Sequence, residues 1–152
     1  MAEATRSSAS LARDPQTPGK TLSKLANHKS WSVRAEVASN PRTPAKTLLR
    51  LAQDKRWEVR TEVALNHRAS SKVLEMLAQD DNKSVRTAVA LNPEASGAAL
   101  RRLAKDKSAV VRQRVAENRS APSGVIRKLA ADESRTVRRA ADDNHRSPKK
   151  VK

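Results

Sequence analysis

Leucine, valine and alanine recur along the chain in a pattern that resets every 26 residues. Asn40, Asn66, Asn92, Asn118 and Asn144 mark the period, and cutting after each gives blocks 15–40, 41–66, 67–92, 93–118 and 119–144, which align without insertion or deletion. Leu-Ala pairs (Leu25-Ala26, Leu51-Ala52, Leu77-Ala78, Leu103-Ala104, Leu129-Ala130) and Val-Arg pairs (Val33-Arg34, Val59-Arg60, Val85-Arg86, Val111-Arg112, Val137-Arg138) keep the same offsets in every block. Within a block the apolar spacing is helical: Leu48, Leu51 and Ala52 form one stripe, and Val59, Val63 and Ala64 another. Each block therefore predicts two short helices. Thr17-Pro18, Thr43-Pro44 and Ser147-Pro148 are expected to open the first, with the hydroxyl as N-cap and proline at the first helical position. Asn66 is expected to close the second in a left-handed turn.

A helix pair of this size cannot bury its apolar face alone, whereas a stack of copies can. That predicts an all-α solenoid of five two-helix repeats. The solenoid should run over 11–148, residues 11–14 ending an earlier copy and 145–148 beginning another. Residues 1–10 are expected to be disordered and 149–152 to form a basic tail.

The unit N-P-x-x-P-x-x-x-L-x-x-L-A-x-D-x-x-x-x-V-R-x-x-V-A, nearly whole over residues 40–64, resembles the bacterial leucine-rich repeat variant, whose relatives are HEAT-like solenoids. The resemblance implies a right-handed superhelix in which a short, partly 3₁₀ helix alternates with an α-helix. The founding member of the family also carries an iron–sulfur cluster on an amino-terminal cysteine cluster. This chain has no cysteine, so that feature does not transfer. The family implies an architecture and leaves function open.

Phe, Tyr and Cys are absent and Trp occurs twice, so the core must be built from small aliphatic side chains that bring the helices close together. Lack of cysteine excludes disulfides, thiolate metal sites and a cysteine nucleophile. No apolar run approaches the ~20 residues of a membrane helix. Residues 1–10 lack the apolar stretch of a signal peptide, and the expectation is a soluble, cytoplasmic protein, nucleoid-associated if it binds DNA. His28, His67 and His145 lie far apart in loop positions, and no zinc-protease helix, glycine-rich phosphate loop or nucleophile elbow occurs. Glu36, Glu58 and Glu62 beside Trp31 and Trp57 are the nearest approach to a catalytic constellation, and no motif accompanies them. No catalysis, cofactor, metal or small-molecule substrate is expected.

Charge points elsewhere. The chain carries 32 Lys and Arg against 16 Asp and Glu, a net +16, and the five blocks hold +3, +3, +1, +3 and +2 of it. Solubility alone asks for a magnitude of only ~2–8 in a small domain. A body cationic along its length has the electrostatic footprint of a polyanion binder. The expected partner is nucleic acid, DNA before RNA, met through its phosphates, and the alternative is a protein-interaction scaffold with an acidic partner. The candidate contacts on the first helices are Lys20, Lys24, Lys46, Arg50, Lys72, Arg101, Arg102, Lys105, Arg127 and Lys128; Arg135, Arg139, Arg146, Lys149 and Lys150 complete the set. Such rows read the nucleic-acid backbone and carry little sequence information.

A second class of arginine is expected to be structural. Arg34, Arg60, Arg86, Arg112 and Arg138 sit about 100° from the core valine on a helical wheel, near small alanines. Asp54, Asp80, Asp106 and Asp132 stand six residues before the last four of them, which predicts a ladder of charge-assisted hydrogen bonds within or between repeats. In the first block His28 takes the acceptor position, so Arg34 is expected to be the member without an acid. The second helices otherwise carry a mixed face: Trp31, Trp57, Glu36, Glu58 and Glu62 early, and Lys83, Gln113, Arg114, Arg135 and Arg139 late. The two tryptophans are expected to pack over the alanine-rich core at its edge.

Overall fold

A computed structural model describes residues 7–146 of the protein, all of it helix and loop. The helices are α1 (Ser8–Arg13), α2 (Gly19–Leu25), α3 (Trp31–Ser39), α4 (Ala45–Leu51), α5 (Trp57–Leu65), α6 (Ser71–Leu77), α7 (Lys83–Leu91), α8 (Gly97–Leu103), α9 (Ala109–Glu117), α10 (Ser123–Leu129) and α11 (Arg135–Arg146). From α2 onward a seven-residue helix alternates with a nine-residue one, and the last is extended. The short helices are α, entered and left through single i→i−3 turns such as Thr21 N–H to Pro18 O and His28 N–H to Leu25 O. α1 is the second helix of the partial first copy. It begins at Ser8, capped by the Ser7 side chain, so residues 8–10 are helical and not disordered as the sequence led us to expect. The expected tail and the Ser147-Pro148 start lie outside the described residues.

The repeats stack through their long helices, α1, α3, α5, α7, α9 and α11 packing in succession, while each short helix packs on the long helices before and after it. One continuous core results. In each repeat the first helix contributes a leucine or isoleucine (Leu22, Leu48, Leu74, Leu100, Ile126) and the following Leu-Ala pair, except that Leu25 is only partly buried and Ala130 is exposed. The second contributes two valines, or a valine and an alanine in α11. Full burial of each such aliphatic side chain stabilises the fold by about 1.5–3 kcal/mol before entropy is counted. Ala38, Ala64, Ala90 and Ala116 are fully buried, and their size lets successive long helices approach.

The turn chemistry differs from the sequence expectation. Pro18, Pro44 and Pro122 are themselves the N-cap residues and make no side-chain cap bond. The preceding hydroxyls serve the helix before them: Thr17 Oγ1 donates to Leu11 O and Thr43 Oγ1 to Val37 O. Blocks without proline there use Ser70 and Ser96 as ordinary N-caps, with buried Ala69 and Ala95 in the threonine position. The asparagines are not left-handed either. Asn66 has φ −72° and ψ 123°, an extended backbone, and no described residue has a positive φ.

Candidate nucleic-acid interface

Two hydrogen-bonded ladders hold the repeats in register. In the first, each asparagine reaches back one repeat: Asn66 Nδ2 donates to Ala38 O at 2.7 Å and Asn40 O at 3.1 Å, and Asn92, Asn118 and Asn144 repeat the pattern. Asn40 does the same to Ala12 O and Asp14 O. Ala38 O is one of the carbonyls a helix C-terminus leaves without an intrahelical partner, so the side chain caps a neighbouring helix. Its Oδ1 meanwhile accepts the N–H two residues on, as Asn66 does from Arg68.

The second ladder joins arginine to the acid of the next repeat. Arg34 donates Nε and Nη2 to Asp54 at 2.6 and 3.0 Å, and Arg60–Asp80, Arg86–Asp106 and Arg112–Asp132 are equivalent bidentate pairs. Nη1 of Arg60, Arg86, Arg112 and Arg138 binds the backbone carbonyl of the aspartate in its own repeat. Arg34 therefore does not lack its acid, contrary to the expectation drawn from the six-residue spacing. Arg138 is the member that, among the described residues, donates only to carbonyls, those of Asp132 and Glu133. His28 replaces aspartate where the previous repeat has Ser8 in place of the ladder arginine, and its Nδ1 keeps the remaining task of accepting the Ser30 N–H. Burial pushes the Asp54, Asp80 and Asp106 carboxyls up, but hydrogen bonds from their arginines and from backbone N–H groups outweigh it and hold all three below the ordinary value. At Asp132 the bond from Arg112 is the leading cause of the same lowering.

With these charges locked inside, the outer face of the short helices is free to display the rest. Lys20, Lys24, Lys46, Arg50, Lys72, Arg101, Arg102, Arg127 and Lys128 are exposed there, Lys105 is exposed in the turn that follows α8 and not on the helix as expected, and none of them pairs with a carboxylate among the described residues. Lys24, Arg50, Arg102 and Lys128 share one repeat position, interrupted by Met76, and Lys20, Lys46 and Lys72 share another. Glu75 is the single acid in these outer helices, and it accepts a hydrogen bond from Ser96 Oγ at 2.6 Å. Arg101, Arg102 and Lys105 line a shallow groove between α6 and α8 with Gln79 and Ala98.

The rest of the predicted set does not join this face. Arg135 and Arg139 belong to the long helix α11, and Arg146 ends it. Lys149 and Lys150 lie outside the described residues. Conversely, Lys29, Lys55 and Lys107 are exposed in the loops that follow the short helices, and Lys29 and Lys55 border one groove with Arg50. Sequence reasoning passed over these three, although a common repeat position, occupied otherwise by Asp81 and Glu133, marks them.

The long-helix face has another character. Trp31 and Trp57 remain 40% and 41% exposed, so they do not seal the core edge as expected. Arg56 lies over the Trp31 ring, 5.0 Å from its centroid, and also pairs with Glu58. Glu36 receives Arg13 at 2.6 Å. Burial, then the charge of Glu36, pushes the Glu62 carboxyl up. Among the described residues no group of His, Asp and Glu side chains is placed to hold a metal ion, and no helix is long and apolar enough to cross a membrane.

Stacked two-helix units, tied by side chains that repeat at a fixed offset, define a repeat-protein scaffold of the α-solenoid class. The model of the leucine rich repeat variant domain matches residues 32–93, and that of the leucine rich repeat variant matches 84–108, together half of the chain. A solved structure described as a leucine-rich repeat variant with a novel repetitive protein structural motif is similar, with TM-score 0.68 and 28% identity over 86% of this chain and 52% of that one. The protein belongs to the leucine-rich repeat variant family. It spans about half the length of that solved relative. No curated protein matches it.

Proposed function

We propose that the protein is a non-catalytic nucleic-acid-binding scaffold that grips duplex DNA through its phosphates along the short-helix face. The observation that carries this reading is segregation of charge. Nine cations against one acid occupy the outer short helices, while the other carboxylates are consumed in the Asp–Arg ladder, sit on the long helices or lie in loops, as Asp81 and Glu94 do. Long helices stacked ~8–10 Å apart space the repeats so that this surface extends on the order of 40–50 Å, enough for a full turn of duplex at one charge per ~1.7 Å. The face has no aromatic side chain, since both tryptophans stand on α3 and α5. Proteins that bind single strands use aromatic platforms for the bases, so a backbone-reading surface without them favours a duplex.

Exposed Leu49 and Met76 within the same face favour a second reading, a scaffold for an acidic protein partner. Salt separates the two. Anisotropy of labelled duplex at 50 and 200 mM salt should give a slope of log K on log salt near −4.5 for ~5 phosphates, with weaker binding of the single strand. Reversal of Lys46, Arg50, Arg101 and Arg102 to glutamate should weaken duplex binding at least tenfold at an unchanged melting temperature. Equal affinity before and after that reversal sinks the proposal.

A further inference from the structure

The first two complete repeats present the same pair of cation receptors on their long helices, and the chain fills only one pair. On α3, the Trp31 ring lies under the Arg56 guanidinium and Glu36 takes the guanidinium of Arg13. Both donors come from fixed offsets: Arg56 follows Trp31 by 25 residues, and Arg13 precedes Glu36 by 23. The same offsets from Trp57 and Glu62 on α5 lead to Asn82 and Ser39, neither of which is charged. Trp57 is exposed, and Glu62, half-buried, has neither an ion pair nor a side-chain hydrogen bond among the described residues. Trp57 and Glu62 are five residues apart, about 7.5 Å of helical rise, on two flanks of one face. Leu65 lies three residues beyond Glu62, at an angle around the helix between the two, with Leu91 at the same position of α7; both are nearly half exposed.

We propose that this face of α5 and α7 binds a protein segment that carries two arginines and an apolar residue. One guanidinium stacks on Trp57 as Arg56 does on Trp31, a second pairs with Glu62 as Arg13 does with Glu36, and the apolar side chain covers Leu65 and Leu91. The chain's own arginines show that each receptor geometry accepts a guanidinium, and stacking of this kind gains strength as water is displaced. Charge complementarity selects the occupant. Glu36 and Glu58 are already paired with Arg13 and Arg56, so Glu62 is the carboxylate left to attract a basic segment, whereas the cationic short helices repel that segment and confine it to one side.

The two tryptophans are the only ones in the chain, so their fluorescence reports on the site directly. The full chain is titrated with a short synthetic peptide of alternating leucine and arginine, and with its counterpart carrying neutral citrulline for arginine. The arginine peptide should give a saturable change in emission, and the citrulline peptide should bind about tenfold more weakly or worse. Glu62→Gln should cost about tenfold. Ser39→Arg, which supplies from within a cation that the first complete repeat already has, should also weaken the peptide without loss of melting temperature; Asn82→Arg should weaken it too, at the cost of the Asn82 cap on the Ser84 N–H. Glu94→Gln should leave its affinity unchanged. Absence of a saturable signal, equal binding of the two peptides, or indifference to both Glu62→Gln and Ser39→Arg overturns the assignment.

Discussion

A buried amide in this protein bridges two carbonyls that belong to a different repeat, and that makes the asparagine the least replaceable polar residue in its block. Asn92 is 2% exposed and satisfies Ala64 O and Asn66 O at once. Asn92→Ala leaves both acceptors buried without a donor and should cost about 2–4 kcal/mol in urea unfolding, while Glu94→Ala two residues away should be close to neutral. The ladder arginines obey a related rule. Arg86 and Asp106 are 9% and 6% exposed as side chains, so Asp106→Ala strands a guanidinium and should cost about 3 kcal/mol. Arg138→Met should cost well under half of that, because Arg138 has no carboxylate to abandon. Equal losses at the two sites in parallel denaturation curves would remove the inter-repeat ion pair from the account. Both residue types were visible in the sequence as recurrences, and so were the aspartates; the acceptors of the amide and the register of the arginine pairs were not. The amide acceptors lie 28 and 26 residues back on backbone atoms that no side-chain pattern displays, and the aspartate that pairs with Arg34 stands 20 residues ahead, where the nearer six-residue spacing drew attention away.

Among elements, the loop between short and long helix is where one side chain does two jobs. Asp106 accepts the Ser108 N–H at the start of α9 and the guanidinium of Arg86 from α7, so protonating it loosens a helix entry and an inter-repeat tie together. Asp54, Asp80, Asp106 and Asp132 all have folded values below the ordinary 3.8. A depressed acid contributes stability that is fully present above its unfolded value and is lost as pH falls through the folded one. Melting temperature followed by circular dichroism should therefore hold between pH 7 and 5 and fall steeply below about pH 4. Glu62 works in the opposite sense, since its raised value makes the folded state regain stability on protonation, but it is one group against four. Asp106→Asn should flatten the acid limb; a limb unchanged in that variant would place the acid sensitivity elsewhere. The number, type and order of helices were legible, because apolar spacing resets with the period. Capping was misread where Thr43-Pro44 presents two favourable N-terminal residues in a row: proline takes the cap position, and threonine turns back to the Val37 carbonyl.

For the whole molecule, stacking turns sequence recurrence into surface. The short-helix cations were legible as a set because a period of 26 places equivalent positions side by side, and Arg135 and Arg139 lie apart from them on α11 because net charge carries no direction. The third repeat divides the basic face, with Glu75 and Met76 where the fourth and fifth repeats have Arg101 and Arg102, then Arg127 and Lys128. If phosphates are met along the full row, this gap is the place where one substitution can add a contact without disturbing the stack. Glu75 is exposed and its side chain is engaged only by Ser96 Oγ, so Glu75→Lys should leave the melting temperature within about 1 °C. It removes one repulsive charge and adds one attractive charge between two basic clusters. Duplex affinity at 50 mM salt should rise several-fold, and the slope of log K on log salt should steepen by about 0.9, the increment for one more phosphate contact. The matching change at Glu94, exposed in the loop between the third and fourth repeats, alters net charge equally and should do far less. If the two variants bind alike, affinity follows total charge and the short-helix face is not the surface that meets DNA.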